Sequence, residues 1–289
     1  MKTLSPLRYP GGKACLADYL RRLIELNVVN CTYFELYAGG AGAALDLLFN
    51  GPVQRIVLND ADIHLFSFWT SILHETEAFV KIIEEIPINI TSWHIQREIY
   101  DDDPSKHTLL ELGFATFFLN RCNRSGIITK AGPIGGIEQN GNYLIDCRFN
   151  KADLISRIKR ISNVRDQIEV YQQDTIQFIN QNIDRLSDGR SFLYLDPPYY
   201  QKGKSLYLNA YEHDDHVALR DLLSNHQDLK WIISYDNVDP ITELYAEFKT
   251  SRHQLSYSLQ NKRKTKEFFV FSNALSTSPE LFEADEDKQ

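Results

Sequence analysis

The segment FLYLDPPYY, residues 192–200, determines how the rest of the chain is interpreted. An apolar run is followed at once by an acid, two prolines and two tyrosines. Nearly continuous apolar runs are typical of parallel strands covered on both faces, and ligands of open α/β sheets collect beyond the carboxyl ends of such strands. The segment therefore predicts a buried strand that delivers Asp196 into a cleft.

The residues after this predicted strand suit an aromatic amine as substrate. Pro197 lacks an N–H, and its fixed φ can aim its carbonyl beside the Asp196 carboxylate, which gives adjacent hydrogen-bond acceptors. Acceptors that pull on the hydrogens of an exocyclic amine favour a pyramidal nitrogen with an available lone pair. Tyr199 offers a flat ring, and stacking of a base on an aromatic ring is worth roughly 1 to 3 kcal/mol. An ordinary strand that ends in a proline-rich turn is the alternative interpretation.

Length and composition exclude several classes of protein. A chain of 289 residues can bury a core as one large α/β domain, or as one domain with a sizeable insertion. No apolar run is long enough to span a membrane, and the first residues lead into no hydrophobic signal core, so we expect a cytoplasmic protein. The widely separated cysteines form no Cys-x-x-Cys pair, which predicts reduced thiols and no metal site.

Charge is distributed unevenly along the chain. The net charge of -8 argues against a polyanionic partner, but residues 276–289 form an acidic tail that contributes much of it. Basic residues cluster elsewhere, and a basic groove on an acidic protein is compatible with this pattern. Most such clusters are solvated faces. The basic residues in question are Arg121, Arg124, Lys130, Lys262, Arg263, Lys264 and Lys266.

A second strand-end motif lies near the N-terminus. Residues 32–37 predict a strand, Ala38 to Gly42 a glycine loop, and the apolar residues from Ala43 to Phe49 a helix, the pattern of a nucleotide-binding unit. The following strand ends at Asp60, about twenty residues beyond Gly40, where a carboxylate commonly holds ribose hydroxyls. This spacing predicts an adenosyl ligand. The alternative is that Asp60 caps the helix that begins at Ile63.

The middle of the chain predicts helices and then a long polar loop. Apolar residues recur at helical spacing from Ile63 to about Arg121. The stretch that follows is rich in arginine, asparagine and glycine and is too long to be a mere connection. Such residues suit contacts with phosphates and base edges, and a surface loop without function is the alternative.

The α/β alternation then resumes and continues on both sides of Asp196. The strand at 167–171 runs towards Asp174, whose carboxylate could accept a hydrogen bond from an adenine amino group. Two alternating segments near the end predict an antiparallel hairpin at the edge of the sheet. The predicted elements are a helix at 151–163, a helix at 215–224, a strand at 230–235, and hairpin strands at 254–260 and 267–273 joined by the basic segment 261–266.

Taken together, RYPGGK at 8–13, FELYAGG at 34–40, ND at 59–60 and DPPY at 196–199 resemble the ordered motifs of the Dam-like (D12 class) adenine-specific DNA methyltransferases. The resemblance covers nearly the whole chain. It implies an α/β fold with a Rossmann-like, seven-stranded, mostly parallel methyltransferase sheet and a terminal antiparallel hairpin. It also implies S-adenosyl-L-methionine as cofactor, N6 of adenine in double-stranded DNA as methyl acceptor, and an association with a restriction or defence system.

The same resemblance divides the chain and assigns its residues. Residues 1–62 and 150–275 would form the catalytic domain, 63–149 a helical insertion that recognises the target, and 276–289 the acidic tail. The resemblance also assigns residues to catalysis and to the cofactor, and the DNA-binding residues are predicted beside them. Implied catalytic residues are Asp196, Pro197 and Tyr199; implied cofactor-binding residues are Tyr9, Lys13, Glu35, Gly39, Gly40, Asp60 and Asp174; predicted DNA-binding residues are Arg121, Arg124 and Lys130.

The chain departs from the family pattern in the first glycine motif. Leu36 stands where the family often has proline, and Ala41 interrupts the usual glycine run. The acid at 196 is informative, because relatives that methylate protein glutamine have asparagine in that position. Methylation of N4 of cytosine is the close alternative, since it uses a similar acidic motif on the same kind of amine. A nucleotide-dependent oxidoreductase or a non-catalytic nucleotide-binding module is the alternative from another class.

Overall fold

The computed structural model describes residues 4–8, 13–129, 131–200, 211–258 and 262–277, and for residues 253–258 and 262–266 it gives the backbone alone. The strands are β1 (Cys31–Glu35), β2 (Val53–Asn59), β3 (Ile168–Tyr171), β4 (Ser191–Leu195), β5 (Trp231–Asp236), β6 (Lys249–Ser258) and β7 (Lys262–Phe271). They form one seven-stranded sheet in the order β3-β2-β1-β4-β5-β7-β6.

Most strand pairs in this sheet are parallel. Strand β1 pairs in parallel with β2 on one side and with β4 on the other, and β4 pairs in parallel with β5. Strand β7 is antiparallel to both β5 and β6. The predicted mostly parallel sheet with a terminal antiparallel hairpin is therefore confirmed. Because the strand order reverses between β1 and β4, their carboxyl ends form the topological switch point at which such sheets bind ligands.

The central strands have the composition of strands covered on both faces. Every residue of β4 and of β5 is buried, including the aromatic side chains of Tyr194 and Trp231. Burial of a large aromatic side chain removes roughly 150 to 250 Å² from water and is a main source of core stability. The strongly apolar segments on either side of Asp196 are thus central strands, as their sequence predicts.

Helices connect the strands. Leu109–Cys122 begins with a capping box, in which Thr108 accepts from the Glu111 N–H while the Glu111 side chain binds the Thr108 N–H. The helix at 90–101 is a separate element within the helical stretch of the sequence. The α-helices of the described ranges are α1 (Ala17–Asn27), α2 (Gly42–Asn50), α3 (Ile63–His74), α4 (Thr76–Glu85), α5 (Ile90–Asp101), α6 (Leu109–Cys122), α7 (Lys151–Ser162), α8 (Thr175–Gln181), α9 (Ile183–Leu186), α10 (His213–Asn225) and α11 (Asp239–Leu244).

The chain divides into two compact units. The first consists of Met1–Gly12 and Asp60–Gln172, and the second of Lys13–Asn59 and Gln173–Gln289. The first unit has an aromatic core in which the rings of Phe68 and Phe117 stack at 5.9 Å between centroids and 7° between planes. The division into a catalytic domain, a target-recognition insertion and a tail stays a prediction.

The hairpin differs from the predicted one. Its strands, β6 and β7, are longer than the predicted segments and begin earlier in the chain. Residues 262–266, predicted to connect the two strands, belong to β7, so that prediction was wrong. A run of basic and polar residues can extend a strand as well as form a loop. The acidic tail lies outside the described residues from 278 onward. Within the described ranges, none of the helices combines the length and hydrophobicity needed to cross a lipid bilayer.

Candidate active site

The glycine turn and the segment that begins at Asp196 follow neighbouring strands of the second unit. Glu35, the last residue of β1, is in register with Tyr194 of β4, and the Leu36 N–H donates to the Tyr194 carbonyl at 3.1 Å. The glycine turn follows β1 and Asp196 follows β4. Both therefore lie at the switch point, where the sequence placed the site.

The carboxyl group of Asp196 is held by a relay of hydroxyl groups. Ser234, on the neighbouring strand β5, donates from its Oγ to Asp196 Oδ1 at 2.7 Å. The Tyr194 hydroxyl lies 2.8 Å from the same Oγ and is its donor, because the single Ser234 proton is already given to Asp196. Tyr194 and Ser234 are fully buried. The rotamer of Asp196 is thus fixed by residues that cannot move without disturbing the core.

Lys13 meets two carboxylates of the protein. Its Nζ lies 3.3 Å from Asp196 Oδ1, and 2.9 Å and 3.1 Å from the two carboxylate oxygens of Glu267. The side chain of Lys13 is only 4% exposed, and that of Asp196 is 18% exposed. Lys13 was predicted to bind the cofactor. The observed contacts place it in a buried ionic cluster beside the predicted catalytic acid, and its contact with a cofactor stays a prediction.

The hydroxyl of Tyr199 belongs to the same cluster. It donates to Glu267 Oε1 at 2.6 Å and accepts from Lys13 Nζ at 2.6 Å, with Nζ 5.1 Å from the ring centroid. Both hydrogen bonds are to charged groups, which makes them stronger than neutral ones. Since the hydroxyl is engaged, what Tyr199 can offer a substrate is a face of its half-buried ring.

Glu267 is a site residue that the sequence analysis missed. It lies on β7, opposite Asp236 in the antiparallel pair with β5, and its side chain is fully buried. The signal in the sequence was a single acid that begins an otherwise apolar strand segment, 267–271. That signal is weak, since only the pairing of β7 with β5 brings the carboxylate to Lys13.

Burial and neighbouring charges shift the acidity of this cluster. The pKa of Asp196 is raised to about 6, chiefly by burial and also by the charge of Glu267, while Lys13 and the Ser234 hydroxyl oppose the rise. Burial alone would lower the pKa of Lys13, but the charges of Asp196 and Glu267 outweigh it, so the pKa is raised. At neutral pH Lys13 is therefore protonated and Asp196 is mostly ionised. Among the residues described, no donor contacts the second oxygen of Asp196, Oδ2.

Glu35 binds the first turn of α2. Its Oε2 accepts from the Ala44 N–H at 3.0 Å, and the side chain is buried. Burial raises the pKa of Glu35 to about 8 against the opposing effect of the Ala44 N–H. The carboxyl group is thus largely protonated at neutral pH. This contact supports the turn between β1 and α2, and a direct contact of Glu35 with a cofactor stays a prediction.

The turn after β1 keeps a glycine-like conformation in spite of Ala41. Gly39 and Ala41 both have φ of 46°, and the Ala41 N–H donates to the Ala38 carbonyl at 2.7 Å. An alanine in this left-handed region costs roughly 1 kcal/mol. Gly40 lies between them in the turn. The departure from the family's glycine run therefore leaves a tight, buried turn of small residues.

The two further acids predicted to bind an adenosyl group sit at helix starts. In the second unit, Asp174 Oδ1 accepts from the N–H groups of Ile176 and Gln177 and so caps α8. In the first unit, Asp60 Oδ1 accepts from the Asp62 N–H at 3.1 Å. The cap of α3 is Asp62, which accepts from the His64 N–H, so the alternative role of Asp60 as that cap is wrong. The cofactor contacts of Asp60 and Asp174 stay predictions.

Arg121 has a structural environment in the first unit. Its guanidinium donates from Nε and Nη2 to the Arg148 carbonyl, with 2.8 Å for Nε, and from Nη1 to the Pro6 carbonyl at 3.4 Å. The residue is 9% exposed, and burial lowers its pKa to about 10. A buried guanidinium that donates to the carbonyls of Arg148 and Pro6 stabilises the packing of these segments within the unit. The DNA contact of Arg121 stays a prediction.

The other predicted DNA contacts fall into two groups. Arg124 is exposed. Lys130 lies outside the described residues, as does Tyr9 of the predicted cofactor set. Over the described part of the chain, no group of three His, Cys, Asp or Glu side chains is arranged to hold a metal ion. Arg124 is thus the predicted DNA contact whose side chain can be assigned to the surface.

The chain belongs to a family of DNA-modifying enzymes. The family model of the D12 class N6 adenine-specific DNA methyltransferases matches residues 9–259, which is most of the chain. The recognised family resemblance is thereby confirmed.

Individual relatives are more distant. The modification methylase StsI of Streptococcus sanguinis is 22% identical over 206 residues, which is 68% of this chain but 28% of that protein. The chain thus spans less than a third of the relative's length. Two structures of the rRNA methyltransferase aviRa of Streptomyces viridochromogenes overlap with TM-scores of 0.41 and 0.42, at 12% and 11% identity, over 92% of this chain and 87% of theirs. The fold assignment rests on the strand order and not on these overlaps.

Proposed function

We propose that this protein is a site-specific DNA methyltransferase that transfers a methyl group from S-adenosyl-L-methionine to N6 of adenine in double-stranded DNA. One observation carries the proposal. Asp196 stands at the switch point with Oδ1 held by Ser234 and Lys13, while its Oδ2 has no donor among the residues that the structure describes. A fixed carboxylate with one open oxygen suits the N–H of a substrate amine.

The amine would lie between two acceptors of this chain. Asp196 Oδ2 accepts one N–H, and the Pro197 carbonyl, which follows it directly, accepts the other. Adenine N6 lies within the base stack of a duplex, so the base must be flipped out, at a cost of a few kcal/mol. The ring of Tyr199 offsets part of this cost by stacking, with its orientation held through its hydroxyl.

Asp196 would also take up the proton that the reaction releases. An amine that has gained a methyl group is positively charged and strongly acidic. Asp196 can accept its proton because the carboxylate, with a pKa of about 6, is mostly ionised at neutral pH. In sum, a carbon–nitrogen bond forms, the bond from the methyl carbon to its donor breaks, and one N–H proton passes to Asp196 and on to solvent.

The turn after β1 fits an adenosyl cofactor. S-adenosyl-L-methionine, when bound, supplies a methyl group already activated by a positively charged sulfur, so the protein need only align and exclude water. Gly39 and Gly40 leave the main chain at the switch point free of bulky side chains. We assign these two glycines to the methionine part of the cofactor, with Glu35 supporting the turn from beneath.

The proposal also covers DNA binding and the biological partner. Residues 63–149 would recognise the target, with the exposed Arg124 contacting phosphates or base edges. Because its relative is named a modification methylase, we propose that this chain acts with a restriction or defence system in the cytoplasm.

The test is identification of the methylated nucleoside. Purified protein is incubated with labelled S-adenosyl-L-methionine and PCR-amplified duplex DNA, which carries no modification, and the digested DNA is analysed by mass spectrometry. We expect N6-methyladenine. N4-methylcytosine would replace the proposal by its close alternative, and binding of NAD with no binding of S-adenosyl-L-methionine would favour an oxidoreductase.

A further inference from the structure

We propose that Glu267, on the antiparallel strand β7, is a positioning residue for methyl transfer that acts through both Tyr199 and Lys13. The inference rests on the proposed function, because it concerns the same site. It adds a role for the terminal hairpin, which is remote in sequence from every motif that predicted the site.

The first step of the argument is that Glu267 is fully buried and fully engaged. Its Oε1 lies 2.6 Å from the Tyr199 hydroxyl and 2.9 Å from Lys13 Nζ, and its Oε2 lies 3.1 Å from the same Nζ. Removing a carboxylate from water costs several kcal/mol, so a buried ion pair is a poor way to gain stability. The four residues after Glu267 on β7 are apolar and buried. A charge at this position is better explained by the contacts of Glu267 with Tyr199 and Lys13 than by a contribution to the stability of the sheet.

The second step concerns Tyr199. Its hydroxyl is clamped between a carboxylate that accepts and an ammonium that donates, both at 2.6 Å. The clamp fixes the tilt of the ring before a base arrives. A ring held in this way loses little entropy when a base stacks on it. Without Glu267, the hydroxyl would have only Lys13 as a partner in the cluster, and the ring could turn.

The third step concerns Asp196. Lys13 is shared between two carboxylates and lies closer to Glu267, at 2.9 Å, than to Asp196, at 3.3 Å. If the charge of Glu267 is removed, Asp196 no longer shares Lys13 with a second carboxylate. A tighter pair would occupy the carboxylate that the substrate amine needs and make it a weaker base. The titratable groups that face Asp196 are Lys13, Glu267, Glu35, Cys15, Tyr33 and Tyr194.

The test compares Glu267→Gln with Lys13→Met by single-turnover methyl transfer as a function of pH. Misplacement of a reacting group costs about 100-fold in rate, so we expect a loss of roughly that size in E267Q. The acidic limb of its pH profile should move to lower pH, because a negative neighbour of Asp196 is gone. In K13M the limb should move to higher pH, because a positive neighbour is gone. If Glu267 and Lys13 had only structural roles, E267Q and K13M would not move the acidic limb of the pH profile in opposite directions.

Two further variants complete the design. Glu267→Asp keeps the charge and should return the limb to the wild-type position with part of the rate. Glu247→Gln removes an equal charge from an exposed position of the same unit and should change neither quantity. The dissociation constant of S-adenosyl-L-methionine, measured by equilibrium dialysis, should change less than the rate in E267Q.

Wild-type rate and pH profile in E267Q would overturn the inference, as would limbs that move in the same direction in E267Q and K13M. Should E267Q fail to fold, the directions of the limb in E267D and K13M decide the question: the limb must stay in the first and rise in the second. If the wild-type protein transfers no methyl group to DNA, it is the proposed function that fails, and the two failures are thus distinguishable.

Discussion

The turn after β4 and the segment after α6 are both rich in polar residues, yet their side chains are used in opposite ways. In the turn, Asp196 and Tyr199 join Lys13 and Glu267 in a cluster of charged and polar side chains, and no described residue donates to Oδ2 of Asp196. In the segment after α6, the side chains of Asn123 and Gln139 bind main-chain groups of their own unit. Polar residues at the end of a central strand are therefore a better guide to a site than polar residues in a long loop.

Asn120, in the last turn of α6, and Asn123, directly after the helix, illustrate the second use. Asn120 accepts from the Arg8 N–H and donates to the carbonyls of Arg8 and Gly126. A Cβ on Gly126 would lie 2.1 Å from the Arg8 carbonyl oxygen, and its φ is 74°, so glycine is required there. These contacts add to the short 3-10 turn at Arg124–Gly126 in fixing the conformation of the loop. The asparagines that suggested base recognition in the sequence instead hold the loop in shape.

The largest effect that separates the two regions is expected for Asn123→Ala. Asn123 accepts from Trp93 Nε1 at 2.7 Å and donates to the carbonyls of Ile127 and Ile128. Leaving these buried groups unpaired should lower the free energy of unfolding by about 3 kcal/mol. Urea denaturation measures this, with the exposed Asn140→Ala as control. Loss of DNA binding at unchanged stability would show that Asn123 reads DNA after all.

A smaller effect, on the rate, is expected from Tyr199. Replacing it by alanine removes the stacking surface and should slow single-turnover transfer by about 30-fold, corresponding to roughly 2 kcal/mol. Tyr199→Phe keeps the ring and loses only the contacts of the hydroxyl, so it should be slowed less. Equal losses of rate in the two variants would mean that the contacts of the hydroxyl, and not stacking on the ring face, account for the effect of Tyr199 on the rate.

Glu35 gives a pH dependence of stability whose sign can be worked out. Its pKa is about 8 in the folded protein against 4.5 for a free carboxyl, so between these values the folded state retains a proton that the unfolded state has lost. The stabilisation contributed by the Glu35 proton is therefore fully present below about pH 4.5. As the pH rises from there, this contribution to the free energy of unfolding falls by at most about 1.4 kcal/mol per pH unit.

The measurement for this third prediction is urea denaturation of the wild type and of Glu35→Gln at several pH values. The amide keeps an acceptor for the Ala44 N–H and cannot ionise, so the variant should lose less stability than the wild type between pH 5 and pH 8, in line with the linkage relation. Parallel pH curves for the two proteins would contradict the assigned burial of Glu35.

The smallest effect is expected for Arg124→Ala. An exposed arginine that contacts one phosphate contributes about 0.9 to the slope of log affinity against log salt, so the variant should show a slope reduced by about that amount. Affinity at fixed salt should fall less than tenfold if one surface charge is lost. Arg190→Ala, which removes an exposed charge from the second unit, is the control. An unchanged slope would remove Arg124 from the interface.

The sequence predicted those features that depend on local pattern. The apolar runs of β4 and β5 indicated central strands, and the sharp change at Asp196 located the switch point. The turn around Gly39 could be predicted because few residues tolerate its dihedral angles. Each of these features depends on a short segment. The conformation that its residues favour does not depend on distant parts of the chain.

Features that depend on distant pairing could not be predicted. The place of Glu267 in the cluster follows from the pairing of β7 with β5, which composition alone does not reveal. The burial of Arg121 depends on the carbonyls of Pro6 and Arg148. Whether a charged side chain lies inside or outside is decided by such partners, so its residue type leaves the question open.

The measurement that tests the account most directly is methyl transfer by Asp196→Ala beside the wild type, with binding of S-adenosyl-L-methionine measured on the same preparations by equilibrium dialysis. We predict that the variant binds the cofactor and that the transfer of label to unmodified duplex DNA is abolished, because the acceptor for the amine and for its proton is gone. Transfer at the wild-type rate by Asp196→Ala would contradict the central claim.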